Sequence, residues 1–317
     1  MPKRRNPSDS NGSMSDGQFL AAFRLQPPTR RGRIASFATF NPIFTIAFLS
    51  ATAAAILYVS FLLEGFFTFG SALLLIAAFL LCFSVFSWNK VTDLKEDSIN
   101  LPDRGQFTKK NRDYLIFASF EAINIALILA FFTNPVAVAI FLFAFFVAFF
   151  YGLGHSFRIK NTVVLKNVTI AGTMAAVAVL LPLALHANIA WIVLLLSYFI
   201  FVKVFITTVL NDVRDVDGDR KTGVHTIPVS LGRNKTRNLL LIINSTLVLW
   251  VAFSLFQGIF YPYAFVLILS VIYGYWVVLR FTRRAKTSRL FYLLINGEWA
   301  FLALYATLFA LGWPHLA

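Results

Sequence analysis

Charge is scarce in this chain. Only 13% of its 317 residues are Asp, Glu, Lys or Arg, against 58% hydrophobic, and the mean hydropathy is +0.74. A soluble domain of this length needs more polar surface, so the composition excludes one and implies a polytopic membrane protein. Cysteine is nearly absent. Cys82 is the single one, inside an apolar run, which excludes an intramolecular disulfide and a cysteine-based zinc site. No G-x-x-x-x-G-K-[ST] loop occurs, so phosphate is not cradled in that way. No short apolar segment with a small-residue cleavage site follows Met1, and a removable signal peptide is not expected.

What is present is apolar sequence in long runs. Residues 1–33 are polar and basic and read as a disordered cytoplasmic tail. Nine apolar stretches follow, near 34–60, 69–88, 114–133, 135–151, 167–186, 189–210, 238–257, 262–281 and 290–313. Each suffices to cross a hydrocarbon core of about 30 Å as a helix. The expected fold is therefore an all-α bundle of nine transmembrane helices over 34–313. The 36 Phe residues read mainly as lipid-facing bulk.

The net charge of +14 would point to nucleic acid in a soluble protein. Here the basic residues lie between apolar spans, and no nucleic-acid partner is expected. Of the 28 Lys and Arg, all except Lys203 fall in 1–33, 89–113, 152–166, 211–237 and 280–289. With nine spans these five segments share one side, and the opposite loops carry neither residue. The positive-inside rule makes that side cytoplasmic and puts the C-terminus on the other.

Two of these cytoplasmic segments are also acidic. Residues 211–228 hold Asp212, Asp215, Asp217 and Asp219 directly after an apolar run. If the preceding helix continues, Asp212, Asp215 and Asp219 share one face and Asp217 points elsewhere. Residues 89–104 also follow an apolar run, and Asn89, Asp93 and Asp97 are spaced i, i+4, i+8. Two polar-acidic faces at equivalent places suggest one bipartite site. Like charges on one face repel, and divalent cations relieve the repulsion. Magnesium takes oxygen ligands and typically uses one or two carboxylates plus substrate phosphates. A calcium loop fits poorly: a pattern started at Asp215 places Gly218 at position 4 and Thr226 at position 12. The plainer alternative is acidic loops salt-bridged to neighbouring Lys and Arg.

A diphosphate site in a membrane implies a lipid-like substrate, and a prenyl diphosphate fits. Its head needs metal, and its tail needs an apolar chamber. Breaking the allylic C–O bond puts charge on the diphosphate, which cations stabilise. Aromatic faces shield the allylic cation, and exclusion of water protects it. The competing class is a non-catalytic lipid-binding protein or a transporter with cation-sensing loops. A transporter is disfavoured, because no Gly/Pro-broken pair of spans is evident.

These residues resemble the UbiA superfamily of intramembrane prenyltransferases. Asn89/Asp93/Asp97 matches its N-x-x-x-D-x-x-x-D motif after the second helix, and Asp212/Asp215/Asp219 its D-x-x-D-x-x-x-D motif after the sixth. Asn100-Leu-Pro102-Asp-Arg104, Gly218 to Gly223 and Thr226-Ile-Pro228 are similar too. The resemblance implies that Asp93, Asp97, Asp212, Asp215 and Asp219 bind two Mg2+ ions and the diphosphate, with Asn89 supporting the first cluster. It also implies a prenyl chamber open sideways to lipid. Arg104, Arg158, Lys160, Lys166, Arg214 and Lys221 are candidates to hold the diphosphate or an anionic acceptor. Tyr151 is a candidate to shield the cation or contact the leaving group. Asn167, after Lys166, is expected at the cavity mouth. The chain departs from the family at Lys90, where many members have Asp, and at His155, where Tyr151 is often followed by Lys in a Y-x-x-x-K element. His155 therefore reads as a replacement phosphate ligand. The acceptor stays open between a glycerol-phosphate lipid and an aromatic quinone precursor.

Four polar residues sit at membrane depth. Asn41, Glu121, Lys203 and Glu298 lie seven or eight residues inside their expected spans, roughly 10–12 Å deep. Such groups are paired or functional by default. The expectation is a polar floor under the diphosphate, with Lys203 paired to Glu121 or Glu298. The alternative is an ion pair that only fixes helix packing.

Overall fold

The computed structural model describes residues 42–63, 67–100, 102–152, 162–185, 190–283 and 289–312. The expected tail and Asn41 lie outside them. The described residues are helical almost throughout: α1 Pro42–Leu63, α2 Phe69–Thr92, α3 Leu94–Asn100, α4 Pro102–Lys110, α5 Arg112–Thr133, α6 Pro135–Gly152, α7 Leu165–Leu185, α8 Ala190–Thr222, α9 Ile227–Phe256, α10 Ala264–Arg283 and α11 Arg289–Ala310. In lipid a helix satisfies its own backbone, so long apolar runs fold this way.

Among the described residues, eight helices are long and apolar enough to cross a membrane; the fourth expected span, α6, falls among the shorter apolar helices. The fold is the expected all-α bundle, and the count of nine spans is not confirmed among the described residues. Two helices overrun their expected bounds. α8 continues to Thr222 because the acidic stretch stays helical, and α9 begins at Ile227 because basic residues 233–237 are helical too.

Local chemistry sets the ends. Thr68 and Ser71 form a capping box at the start of α2. α5 and α6 are separated by Asn134 alone. Its Oδ1 accepts from Val136 N, and its Nδ2 donates to Ala184 O at the end of α7. α8 stops in a Schellman turn: Val224 N donates to Asp219 O at 2.8 Å, with Gly223 at φ 73. Within α9, Gly232 has φ 76 and ψ 161, which splits that helix just before its basic turn.

The bundle closes because α11 packs against α1. α2 and α5 meet through small residues, Ala77, Ala78, Ala122, Ala126 and Ala130, all buried. Small residues let helices approach where lipid provides no hydrophobic drive. Many Phe side chains face outward, Phe69, Phe132 and Phe256 among them, in keeping with lipid contact. Inside the ring, α1, α2, α6, α7, α8 and α11 line a cavity of about 190 Å³.

Candidate active site

The second acidic stretch is the last part of α8. Asp212 and Asp219 are buried, Asp215 is half-buried and Asp217 is exposed. That is the pattern of three residues on one inward face and one turned away. The first stretch breaks where α2 ends. Asp93 caps α2 with φ −97 and ψ 15, and α3 starts at Leu94. Helical bonding survives on both sides: Asp93 N donates to Asn89 O, and Asp97 N to Asp93 O. Asn89, Asp93 and Asp97 therefore follow the expected spacing on a bent path and not on one straight helix.

α3 packs on α8, which brings the two stretches together. Each of three motif aspartates holds a basic side chain. Asp97 Oδ2 lies 2.6 Å from Arg104 Nε. Asp212 takes Lys166 Nζ on Oδ1 at 2.5 Å and Asn167 Nδ2 on Oδ2 at 3.0 Å. Asp215 receives Arg214 Nε on Oδ1 at 2.8 Å, and Arg214 Nη2 reaches its Oδ2. Arg214 Nη1 donates to Asn211 Oδ1 and Tyr292 Oη, and the guanidinium lies 5.3 Å from the Phe291 ring centroid. Arg104 joins both halves electrostatically. Burial pulls its guanidinium below the usual arginine range; Tyr292 and Asp215 oppose that shift, and Arg214 adds to it. Thr226 Oγ1 donates to Asp219 Oδ2 at 3.5 Å, which ties the last aspartate to the turn before α9. Asp93 Oδ1 accepts from Thr92 Oγ1.

Among the described residues, no three carboxylates, imidazoles or thiols converge into a ready metal cage. The donor set nonetheless suits a hard divalent cation. It consists of carboxylate oxygens from two chain segments at one end of the bundle. A magnesium-type ion commonly needs only one or two protein carboxylates, the rest being phosphate and water. The basic groups lodged on Asp97, Asp212 and Asp215 mark these carboxylates as places that attract cations. Asn167 Oδ1 is buried without a hydrogen-bond partner, beside the amide that holds Asp212.

The cavity runs from this end into the bundle. Asn89, Asn211, Thr207 and Thr208 are its polar lining near the aspartates, and Ile56, Leu57, Leu81 and Val177 are among its apolar walls. Such a lining accommodates a molecule with a charged head and a hydrocarbon tail.

The other expected site residues divide three ways. Asn89 lines the cavity, and Asn167 holds Asp212. Lys221 is exposed in the last turn of α8, on the side of Asp217 and away from buried Asp219. Tyr151 belongs to the last turn of α6; its side chain, together with His155, Arg158 and Lys160, lies outside the described residues.

Lys203 does not line the cavity among the described residues. It is buried, with Nζ 2.6 Å from Glu298 Oε2 and 2.9 Å from Ser270 O. The expected alternative partner, Glu121, is exposed on the outside of α5. The expected pair of Lys203 with Glu298 is present, but Lys203 is not in the cavity lining. Thr207 and Asn211 turn toward the cavity, while Lys203 turns toward α10 and α11, because four residues along α8 rotate the face by about 40° and eight by about 80°. Tyr292, Phe291, Asn296 and Trp299 were not expected at the site. They come from α11, whose acidic residue, Glu298, pairs with Lys203. The one sequence signal was their place at the start of the last span, just after a basic segment.

The close approach of α3 and α4 sets up the Asp97–Arg104 pair. A Cβ on Gly105 would lie 2.5 Å from Ser98 Oγ and 2.7 Å from Ser98 Cα. The backbone atom cannot yield, so Gly105→Ala is expected to push the two helices apart. It should destabilise by about 1–3 kcal/mol, read as a lower thermal midpoint. Gly172→Ala, where a Cβ meets nothing within 4 Å, is the neutral control.

The UbiA prenyltransferase family model matches residues 47–305. The chain belongs to that family. It is 24% identical over 189 residues to the digeranylgeranylglyceryl phosphate synthase of Pyrococcus furiosus; the match covers 58% of this chain and spans about 65% of that relative's length. Its fold is similar to that of a UbiA homologue from Archaeoglobus fulgidus bound to DMAPP and Mg2+. There the TM-score is 0.67 and the identity 14%, over 85% of this chain and 98% of that one. A UbiA homologue from Aeropyrum pernix superposes with a TM-score of 0.65 at 17% identity, over 82% of this chain and 97% of that one.

Proposed function

We propose that this protein transfers a prenyl group from a prenyl diphosphate to a lipophilic or phosphorylated acceptor, releasing diphosphate, inside the membrane and at its cytoplasmic face. The observation that carries this reading is the junction of two aspartate stretches with the mouth of one apolar cavity. Binding of Mg2+ with DMAPP by the Archaeoglobus homologue supports the metal and the donor. The placement of Lys and Arg supports the orientation.

In this reading Asp93, Asp97, Asp212, Asp215 and Asp219 hold Mg2+, directly or through water. Bound there, Mg2+ takes up the negative charge that grows on the leaving diphosphate. Arg104, Lys166 and Arg214, which rest on the aspartates, lie within reach of the same anion and complement it. The apolar walls hold the prenyl tail and keep water from the carbon whose C–O bond breaks. An acceptor oxygen or carbon then bonds to that carbon and gives up a proton. The similarity to a glyceryl phosphate synthase favours a glycerol-phosphate lipid over an aromatic ring.

The test is diphosphate release from geranylgeranyl diphosphate by purified protein, with and without Mg2+, across glycerol-phosphate, aromatic and sugar-phosphate acceptors. Release that needs both Mg2+ and one acceptor is expected. Neither release nor binding of the prenyl diphosphate would overturn the reading in favour of a non-catalytic protein.

A further inference from the structure

Glu121 has no place in the site just described. It sits on α5, which runs from Arg112 to Thr133, nine residues from one end and twelve from the other. Those separations are about 13 Å and about 18 Å along the axis. An independent register agrees. Ser84 Oγ and Ser119 Oγ are 3.1 Å apart, so antiparallel α2 places Cys82 level with Glu121, in the middle of its own span. Glu121 is nevertheless exposed, and so is Asn124, one turn further along the same face. Around them lie Phe117, Phe120, Ile125 and Ile128, all exposed. The outer face of α5 is therefore a hydrocarbon surface with a carboxyl and a carboxamide at mid-depth.

Polar groups at this depth are costly against acyl chains and are normally paired or turned inward. The Glu side chain is too short to reach an interface more than about 13 Å away, whereas long Lys and Arg stems can snorkel. Among the described residues nothing covers these groups. The one lysine of the expected spans, Lys203, is buried against Glu298, and the one arginine, Arg280, stands at the very end of 262–281.

We propose that this face of α5 is the surface through which two copies of the chain associate side by side in the membrane. Two copies inserted in the same sense relate by a two-fold axis along the membrane normal, and the contact is isologous. Their α5 helices then run in the same direction, with Glu121 and Asn124 at one depth in both. The carboxamide Nδ2 donates and the carboxyl oxygen accepts, so each copy supplies what the other lacks, twice over. Interhelical hydrogen bonds of this kind are a recognised adhesive between spans.

The test uses full-length protein labelled at its N-terminus with donor or acceptor dyes, in phosphatidylcholine vesicles over a range of protein-to-lipid ratios. The wild type is expected to show energy transfer that falls on dilution. The double variant Glu121→Leu/Asn124→Leu is expected to need about tenfold higher density for the same transfer, while Glu121→Gln, which keeps the hydrogen bonding, stays close to wild type. A second arm leaves both polar residues in place. In a Cys82→Ala background, Ile128→Cys on the same face should form a disulfide-linked dimer. Leu249→Cys, exposed on α9, should not. A wild type that stays monomeric at every density overturns the proposal. So does a double variant that associates like wild type, or cross-linking at position 249 and not at 128.

Discussion

Asp215→Asn is expected to lower kcat by about 100- to 1000-fold, the loss typical when one preorganised electrostatic contact to a developing charge is removed. The substitution keeps the shape and oxygen of the side chain but removes its charge. Asp215 faces inward on α8 between Asp212 and Asp219, within the electrostatic reach of Arg104 and Lys166, and it anchors Arg214 through two contacts. Loss of its charge weakens cation binding, so the Mg2+ concentration for half-maximal rate should rise as well. Asp215→Ala should do the same and also lower the thermal midpoint. The Arg214 side chain is only 5% exposed and would lose its Asp215 contacts, keeping Asn211 and Tyr292. Steady-state rates over an Mg2+ titration, with unfolding curves for both variants, separate the two effects. Wild-type turnover in Asp215→Asn would remove Asp215 from the metal assignment.

Much of this arrangement was legible in the sequence, for identifiable reasons. Long apolar runs have one stable form in lipid, so the helices followed from composition. The i, i+3, i+7 spacing of Asp212, Asp215 and Asp219 needed only that α8 continue, and the exposure of Asp217 agrees with it. The bend at Asp93 was less accessible, because the spacing of Asn89, Asp93 and Asp97 is the same on a straight helix and on one interrupted at its cap. The ion pairs on Asp97, Asp212 and Asp215 were not assignable in detail. Arg104, Lys166 and Arg214 compete for several carboxylates, and the packing of α3 on α4 and of α7 on α8 decides among them. Tyr292 and Phe291 carried no motif that ties them to Arg214, which they meet across 78 and 77 positions of chain. The depth of Glu121 and Lys203 was readable, but depth alone does not tell the inside of a bundle from the outside.

That last ambiguity yields the second large effect. Lys203→Met is expected to destabilise the protein by about 3–5 kcal/mol, because Glu298, only 7% exposed, is left buried without its counter-charge. Glu298→Leu should cost a similar amount from the other side. The double variant Lys203→Met/Glu298→Leu is expected to recover most of the loss, since apolar groups of similar volume often replace a buried pair at little net cost. The surroundings limit the choice of residue. An ideal Cβ on Gly274 would lie 2.1 Å from Asn244 Oδ1 and 3.1 Å from Lys203 Nζ, so α10 passes close by and a branched replacement would clash. Ser270 Oγ also donates to Glu298 Oε2 at 3.2 Å, and Asn244 Nδ2 to Val271 O, which binds α8, α9, α10 and α11 into one polar knot. Thermal midpoints of the wild type, both single variants and the double variant complete the cycle. Turnover in the double variant then decides what the pair is for. Near-normal rates with restored stability identify it as a clamp between helices. Restored stability with a loss of a hundredfold or more would show that the Lys203 charge acts on the substrate from outside the cavity wall.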